Sequence, residues 1–181
     1  LDTPGHVDFS PETERTLPVL DCAILLVSGA DGVQGHTETL WKLLARAGVP
    51  TFVFVNKMDQ PGADCERLLG DLRVRLADAC VDFGAADEAR CEALATCDEA
   101  LLESYLETGA LETAAIARAI AGRKVFPVFF GSALRLTGVQ ELLDGITQYL
   151  PVREYGADFG AKVFKIARDA QGNRLTHMKI T

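Results

Sequence analysis

At 181 residues the chain has the size of one ordinary domain, or of one domain with part of another. Hydrophobic residues make up 48% and charged residues 24%, the balance of a packed globular core, which excludes a disordered chain. With 26 acidic against 18 basic residues the net charge is -8, so a generic nucleic-acid binder is excluded, although one local face can still dock on RNA.

Three short apolar runs, Ala23 to Val27, Thr51 to Val55 and Val125 to Phe130, each stop at polar or glycine residues. Runs of this length predict strands buried on both faces, as in a parallel sheet covered by helices. Between the first two, Leu40, Leu43, Leu44 and Ala47 repeat at helical spacing, and Gly48 stands where a helix-ending glycine belongs. Cys65, Leu68, Leu69, Leu72 and Leu76 form a second helical stripe. Residues 80–122 break the alternation with alanine, glutamate and leucine at helical spacing, and Asp98 is a candidate N-cap for Ala100 to Leu106. This stretch is expected to be a helical insertion. Val139, Leu142, Leu143, Ile146 and Leu150 form a third stripe, stopped by Pro151. Alternating strands and helices predict an α/β fold with a doubly wound sheet. Beyond Pro151, Ala161 to Ile166 and Arg174 to Ile180 flank the turn-like Asp169-Ala170-Gln171-Gly172-Asn173, which predicts a β-hairpin. Two strands alone are marginal in water, so the hairpin is expected to open a β domain.

The five cysteines, Cys22, Cys65, Cys80, Cys91 and Cys97, form no CxxC pair and have no nearby histidine, which argues against zinc. Cys22, beside an apolar run, reads as a reduced core residue. Neither a leader peptide nor an apolar run of about 18 residues is present, so a cytoplasmic protein is expected.

Three motifs fall at ends of expected strands, where open α/β sheets bind ligands. In Asp2-Thr3-Pro4-Gly5-His6, the aspartate can hold magnesium through water, and the glycine lets a backbone N–H approach a phosphate oxygen. His6 can orient a water molecule or take its proton. An ordinary turn with a surface histidine is the other reading. Asn56-Lys57-Met58-Asp59 directly follows the second run. The Asp59 carboxylate can accept from both N1–H and the N2 amino group of guanine, a donor pair that adenine lacks. Asn56 can bond the opposite edge, and the Lys57 stem can lie along the base. A solvated loop is the alternative. Gly131-Ser132-Ala133-Leu134 follows the third run; its small residues let the Ala133 N–H reach the guanine carbonyl, while Leu134 covers the base opposite Lys57.

With all three motifs in this order, the chain resembles the GTPase domain of translation factors related to elongation factor G. Asp2 to Phe9 is similar to their switch II, Asn56 to Asp59 to their base-recognition loop, and Gly131 to Leu134 to their last guanine loop. The likeness continues through Asp31-Gly32-Val33-Gln34, Asp98 to Leu106 and Val139 to Pro151. It implies a partial GTPase domain over residues 1–152, a linker over 153–160 and the start of a β-barrel domain over 161–181. It also implies GTP or GDP with magnesium as cofactors of the intact protein, and the ribosome as partner. The implied site residues are Asp2 for magnesium, Gly5 for the γ-phosphate and His6 as the catalytic residue that positions water. Asn56, Lys57, Asp59, Ser132, Ala133 and Leu134 are implied to bind the base.

Only residues 60–97 separate the NKMD loop from the helix near Asp98, where elongation factor G carries an extra subdomain. That spacing, and Asn56 to Asp64, look more like the tetracycline-resistance ribosomal protection proteins, whose members release tetracycline from the ribosome. An elongation or release-factor-recycling GTPase is the second reading, and a non-catalytic guanine-binding or purely structural fragment the third. No G-x-x-x-x-G-K-[ST] occurs. The phosphate cradle is therefore expected upstream of Leu1, and the chain alone is expected to be inactive with no ligand bound. Without its family neighbour, the 23–27 strand is expected to self-associate along an exposed edge or to be covered by the N-terminal segment, with Asp2 to His6 displaced. Pro18 is expected to end or kink its helix near Leu17.

Overall fold

A computed structural model describes residues 1, 14–151 and 155–181 of the chain. Two compact units are present, one of residues 22–151 and one of residues 1–21 with 152–181.

The larger unit is built on four parallel strands: β1 (Ala23–Ser28), β2 (Thr51–Asn56), β3 (Cys80–Asp82) and β4 (Phe126–Phe130), in the spatial order β1-β2-β4-β3. Six helices accompany them: α1 (Gly35–Arg46), α2 (Cys65–Arg75), α3 (Asp87–Ala95), α4 (Glu99–Thr108), α5 (Thr113–Ala121) and α6 (Val139–Tyr149). Side chains alternate across a strand, so successive β2 residues enter different cores. Val53 and Val55 join Leu25, Val27 and Val128 against Trp41 of α1 and Leu68 and Leu72 of α2. Phe52 and Phe54 join Phe129 against Leu101 of α4, Ile116 and Ile120 of α5 and Leu142 of α6. The expected α/β sheet with helices on both faces is present.

Two details differ from expectation. Residues 80–122 are not wholly helical: they open with β3, which pairs with β4 through Cys80↔Phe126 and Asp82↔Val128. Cys80 and Val81 are almost fully buried there. Three residues are too few to show a period, so only the partner strand makes this segment legible as β. Secondly, β1 is buried on one face only. Leu25 and Val27 enter the core, whereas Ile24 and Leu26 are 45% and 63% exposed. Among the described residues β1 pairs only with β2.

Local signals account for most helix ends. Asp64 accepts from the Arg67 N–H at 2.7 Å and caps α2. Asp98 accepts from the Ala100 N–H at 3.1 Å and caps α4, as expected. Gly48 follows α1 with φ 66°, a conformation that costs glycine nothing. Behind the sheet, the Arg123 guanidinium lies 5.2 Å from the Trp41 ring centroid and 5.0 Å from that of Phe126. It donates to the Val49 carbonyl and, at 2.9 Å, to Thr51 Oγ1. One side chain thus ties the entry of β2 to the start of β4.

In the smaller unit, β5 (Ala161–Arg168) and β6 (Arg174–Ile180) form the expected antiparallel hairpin, with an irregularity between Val163 and Lys165. Asp169 Oδ1 closes the turn by accepting from the Gln171 and Asn173 N–H groups at 2.9 and 2.8 Å. Residues 14–16 are helical and Leu17–Val19 is a 3-10 turn. Pro18, lacking an N–H, ends the α-helix where expected. Lys179 Nζ donates to the Val19 carbonyl at 3.0 Å and pairs with Asp21 at 2.6 Å, joining the hairpin to this turn. Among the described residues no helix is long and apolar enough to cross a membrane.

Candidate functional site

Parallel pairing of β2 with β4 runs through Val55↔Phe130, so the loops that leave both strands start side by side. Two backbone bonds continue the ladder into them. Gly131 N–H donates to the Val55 carbonyl at 3.0 Å, and Met58 N–H donates to the Gly131 carbonyl at 3.0 Å. Asn56 and Gly131 therefore leave the sheet in fixed register.

Asn56 organises the junction. Its Oδ1 accepts from the Lys57 N–H and from the Ala133 N–H, both at 2.8 Å. Lys57 has φ 65°, a left-handed conformation that is unfavourable for a residue with a Cβ. The bond from Asn56 supports that turn. On the opposite side, Ser132 is 2% exposed. Its N–H donates to the Thr137 carbonyl at 3.0 Å, and Thr137 N–H returns to the Ser132 carbonyl at 3.1 Å. Residues 132–137 thus form a loop closed on itself, whose neck has no spare room. A Cβ on Gly131 would lie 2.1 Å from the Thr137 oxygen, and one on Gly138 would lie 2.3 Å from the Phe130 oxygen.

Asp59 faces this loop. Its hydrogen bond with Ser132 holds its carboxyl below the usual value of 3.8, and the nearby Arg135 guanidinium adds to that effect. Arg135 Nε stands 3.2 Å from Asp59 Oδ2. At neutral pH Asp59 is therefore a carboxylate that only accepts, the state needed to take two N–H donors. The loop after β1 is held separately: Val33 N–H donates to Asp71 Oδ2 of α2 at 3.0 Å, and Arg75 pairs with Glu38 at 2.6 Å.

Of the residues singled out from the sequence, Asn56, Asp59, Ser132 and Ala133 are brought together by these bonds. Lys57 and Leu134 lie on the same two loops with exposed side chains, Leu134 at 90%. The Ala133 N–H, expected to meet a guanine carbonyl, is bonded to Asn56 instead. Asp2, Gly5 and His6 lie outside the described residues, as does the expected displacement of Asp2 to His6. Sequence reasoning missed Arg135 and Thr137. An arginine in an exposed turn gives no local signal, whereas Thr137-Gly138 is a turn-like pair that marks the loop's return.

Comparison with known proteins gives a consistent result. The model of the elongation factor Tu GTP binding domain matches residues 1–152. An oxytetracycline resistance protein from Streptomyces rimosus is 38% identical over 208 residues, covering 99% of this chain and 31% of the relative. Elongation factor G from Dehalococcoides mccartyi is 32% identical over 250 residues, covering 99% of this chain and 36% of the relative. The chain thus spans about a third of the length of the curated relatives it matches. A crystal structure of a protein from Thermus thermophilus superimposes with a TM-score of 0.82 at 29% identity, covering 99% of this chain and 34% of that one.

Proposed function

The chain belongs to the family of the elongation factor Tu GTP-binding domain, among translational GTPases of the elongation factor G type, and from this we propose that its 56–59 and 131–134 loops hold the base of a guanine nucleotide in a GTPase acting on the ribosome. The observation that carries this reading is an ionised Asp59 carboxylate facing the Ser132–Thr137 loop, with Asn56 Oδ1 bonded to that loop's Ala133 N–H, at the ends of neighbouring parallel strands. That donor set fits guanine. Asp59 accepts from N1–H and the N2 amino group, while Asn56 serves the opposite edge, where the Ala133 N–H reaches the guanine carbonyl only on leaving Asn56 Oδ1. An adenine in the same place presents an acceptor at N1 to the carboxylate and leaves it unpaired.

Within this reading Asp2 would hold magnesium, Gly5 would meet the γ-phosphate and His6 would orient the attacking water. Bound GTP supplies the phosphoanhydride bond that is cleaved. The described residues contribute selection and orientation of the base, with the Lys57 stem and Leu134 on its two faces. Residues 1–152 act as part of the GTPase domain, 153–160 as linker and 161–181 as the opening of a β-barrel. A cytoplasmic place of action goes with this assignment. Among the described residues β1 pairs only with β2, so self-association of chains along its other edge belongs to this reading.

The relative with the higher identity is the oxytetracycline resistance protein, which also aligns over the shorter length for the same coverage of this chain. That favours release of tetracycline from the ribosome as the role of the whole protein. Elongation or release-factor recycling is the second reading, supported by the 32% identity to elongation factor G.

Titrating guanosine and adenosine into the ¹⁵N-labelled chain tests base recognition. Guanosine is expected to shift the amide signals of Asn56 to Asp59 and Ser132 to Leu134, with adenosine weaker by about tenfold or more. Equal shifts from both nucleosides refute the reading. Hydrolysis is a separate matter. None of the 181 residues forms a G-x-x-x-x-G-K-[ST] cradle, and phosphoryl transfer depends on such positioning. The purified chain is expected to release no phosphate from GTP above background, with or without ribosomes. Multiple turnover that disappears in His6→Ala is the result that contradicts this.

A further inference from the structure

All three residues assigned above to the hydrogen-bonding edges of guanine are already engaged from within the protein. Asp59 Oδ2 lies 3.2 Å from Arg135 Nε, and the Ala133 N–H donates to Asn56 Oδ1 at 2.8 Å. A guanidinium is a planar fork of N–H donors, and in that respect it resembles the N1–H and N2 amino edge of guanine. Arg135 stands on the same loop as Ala133 and Leu134. Its side chain is 66% exposed, against 20% for that of Asp59, so the arginine can swing away while the carboxylate stays anchored by Ser132.

We propose that Arg135 is an internal competitor for the guanine-selecting carboxylate, a latch that holds the base site closed until guanine displaces it. The inference rests on the guanine reading and adds a determinant of affinity and release to it. An ion pair this exposed is weak and screened by salt, so the latch opens readily and lowers affinity by a small factor. Guanine replaces the guanidinium donors with its own. Adenine has no such pair to offer, so it leaves the latch shut and its own edge unpaired.

Guanosine is uncharged, so ionic strength acts on its binding chiefly through the Arg135–Asp59 pair. The ¹⁵N titration is therefore made on the full chain, Arg135→Ala and Arg135→Gln, at low salt and near 1 M salt. At low salt both variants are expected to bind guanosine about two- to fivefold tighter than the unaltered chain. The unaltered chain is expected to tighten as salt rises to about 1 M, where the screening length is about 3 Å, while the variants stay level. Arg135→Gln keeps a long polar side chain, so its agreement with Arg135→Ala separates charge from packing. Preference for guanosine in all three proteins, with no tightening in the variants or with parallel salt dependence, overturns the latch and leaves the base reading intact. No preference for guanosine over adenosine in any of them overturns both.

Discussion

Asp59→Asn is expected to reverse the base preference of the chain from guanosine to xanthosine, changing the ratio of the two affinities by about 10²-fold or more. In the proposed complex the carboxylate accepts two N–H donors; asparagine keeps one acceptor oxygen, so one of guanine's two donors would face an amide NH₂ instead. Xanthine carries a carbonyl where guanine carries the amino group, so the asparagine can donate to it. The Ser132 bond that lowers the Asp59 pKa sets the pH range of the effect. A depressed pKa keeps the carboxylate charged as pH falls from neutrality through its ordinary value of 3.8, so guanosine preference is held over that window and lost below it. Competition binding with guanosine and xanthosine measures the ratio; an unchanged guanosine preference in Asp59→Asn removes Asp59 as the selector.

The second large effect is expected at the neck of the 131–138 loop. A Cβ on Gly131 would meet the Thr137 oxygen at 2.1 Å and the Gly138 Cα at 3.0 Å. A Cβ on Gly138 would meet the Phe130 oxygen at 2.3 Å and the Gly131 Cα at 2.9 Å, at a backbone φ of +75°. The obstacles are backbone atoms held in β4 and in the Ser132–Thr137 bridge, so they cannot rotate aside. Gly131→Ala and Gly138→Ala are each expected to cost about 3 kcal/mol or more, as overpacking against a rigid neighbour does, and to abolish guanosine binding. Gly35→Ala is the control. Nothing lies within 4 Å of its added Cβ, and it starts α1, so its change should stay within about 0.5 kcal/mol. Urea unfolding of the three variants gives the comparison. Unaltered midpoints for Gly131→Ala and Gly138→Ala would show that the neck relaxes.

How much of this was legible before the structure depended on distance along the chain. Thr51 to Val55 read correctly as a doubly buried strand because every residue of the run is apolar or small and five in succession are buried. The same reasoning overstated Ala23 to Val27. Ile24 and Leu26 look identical to core residues in sequence, and only their exposure in the folded chain shows that this face of β1 is left uncovered. Cys80 to Asp82 failed for the opposite reason, since three residues carry too little pattern to be told from a helical surrounding. At the site, the meeting of Asn56, Asp59 and Ala133 was legible because each lies just beyond a recognisable strand end. Arg135 was not. Its partner lies on a different loop, and the ion pair exists only because β2 and β4 are neighbours. The role of Gly131 and Gly138 was equally hidden, as it depends on how closely the two ends of one loop pass.

Arg123, wedged against Trp41 and Phe126, has an optical consequence. Trp41 is the chain's single tryptophan; it is 8% exposed, with its ring centroid 4.5 Å from that of Phe126. Its indole stands in an apolar environment beneath a cation and far along the chain from residues 131–138, so its emission belongs to the packing of α1 against the sheet. Fluorescence therefore reports the sheet as a whole with no added label, while the amide signals of residues 56–59 and 131–138 report the loops. Where the two traces part during unfolding, the loops have come undone on a still-standing sheet.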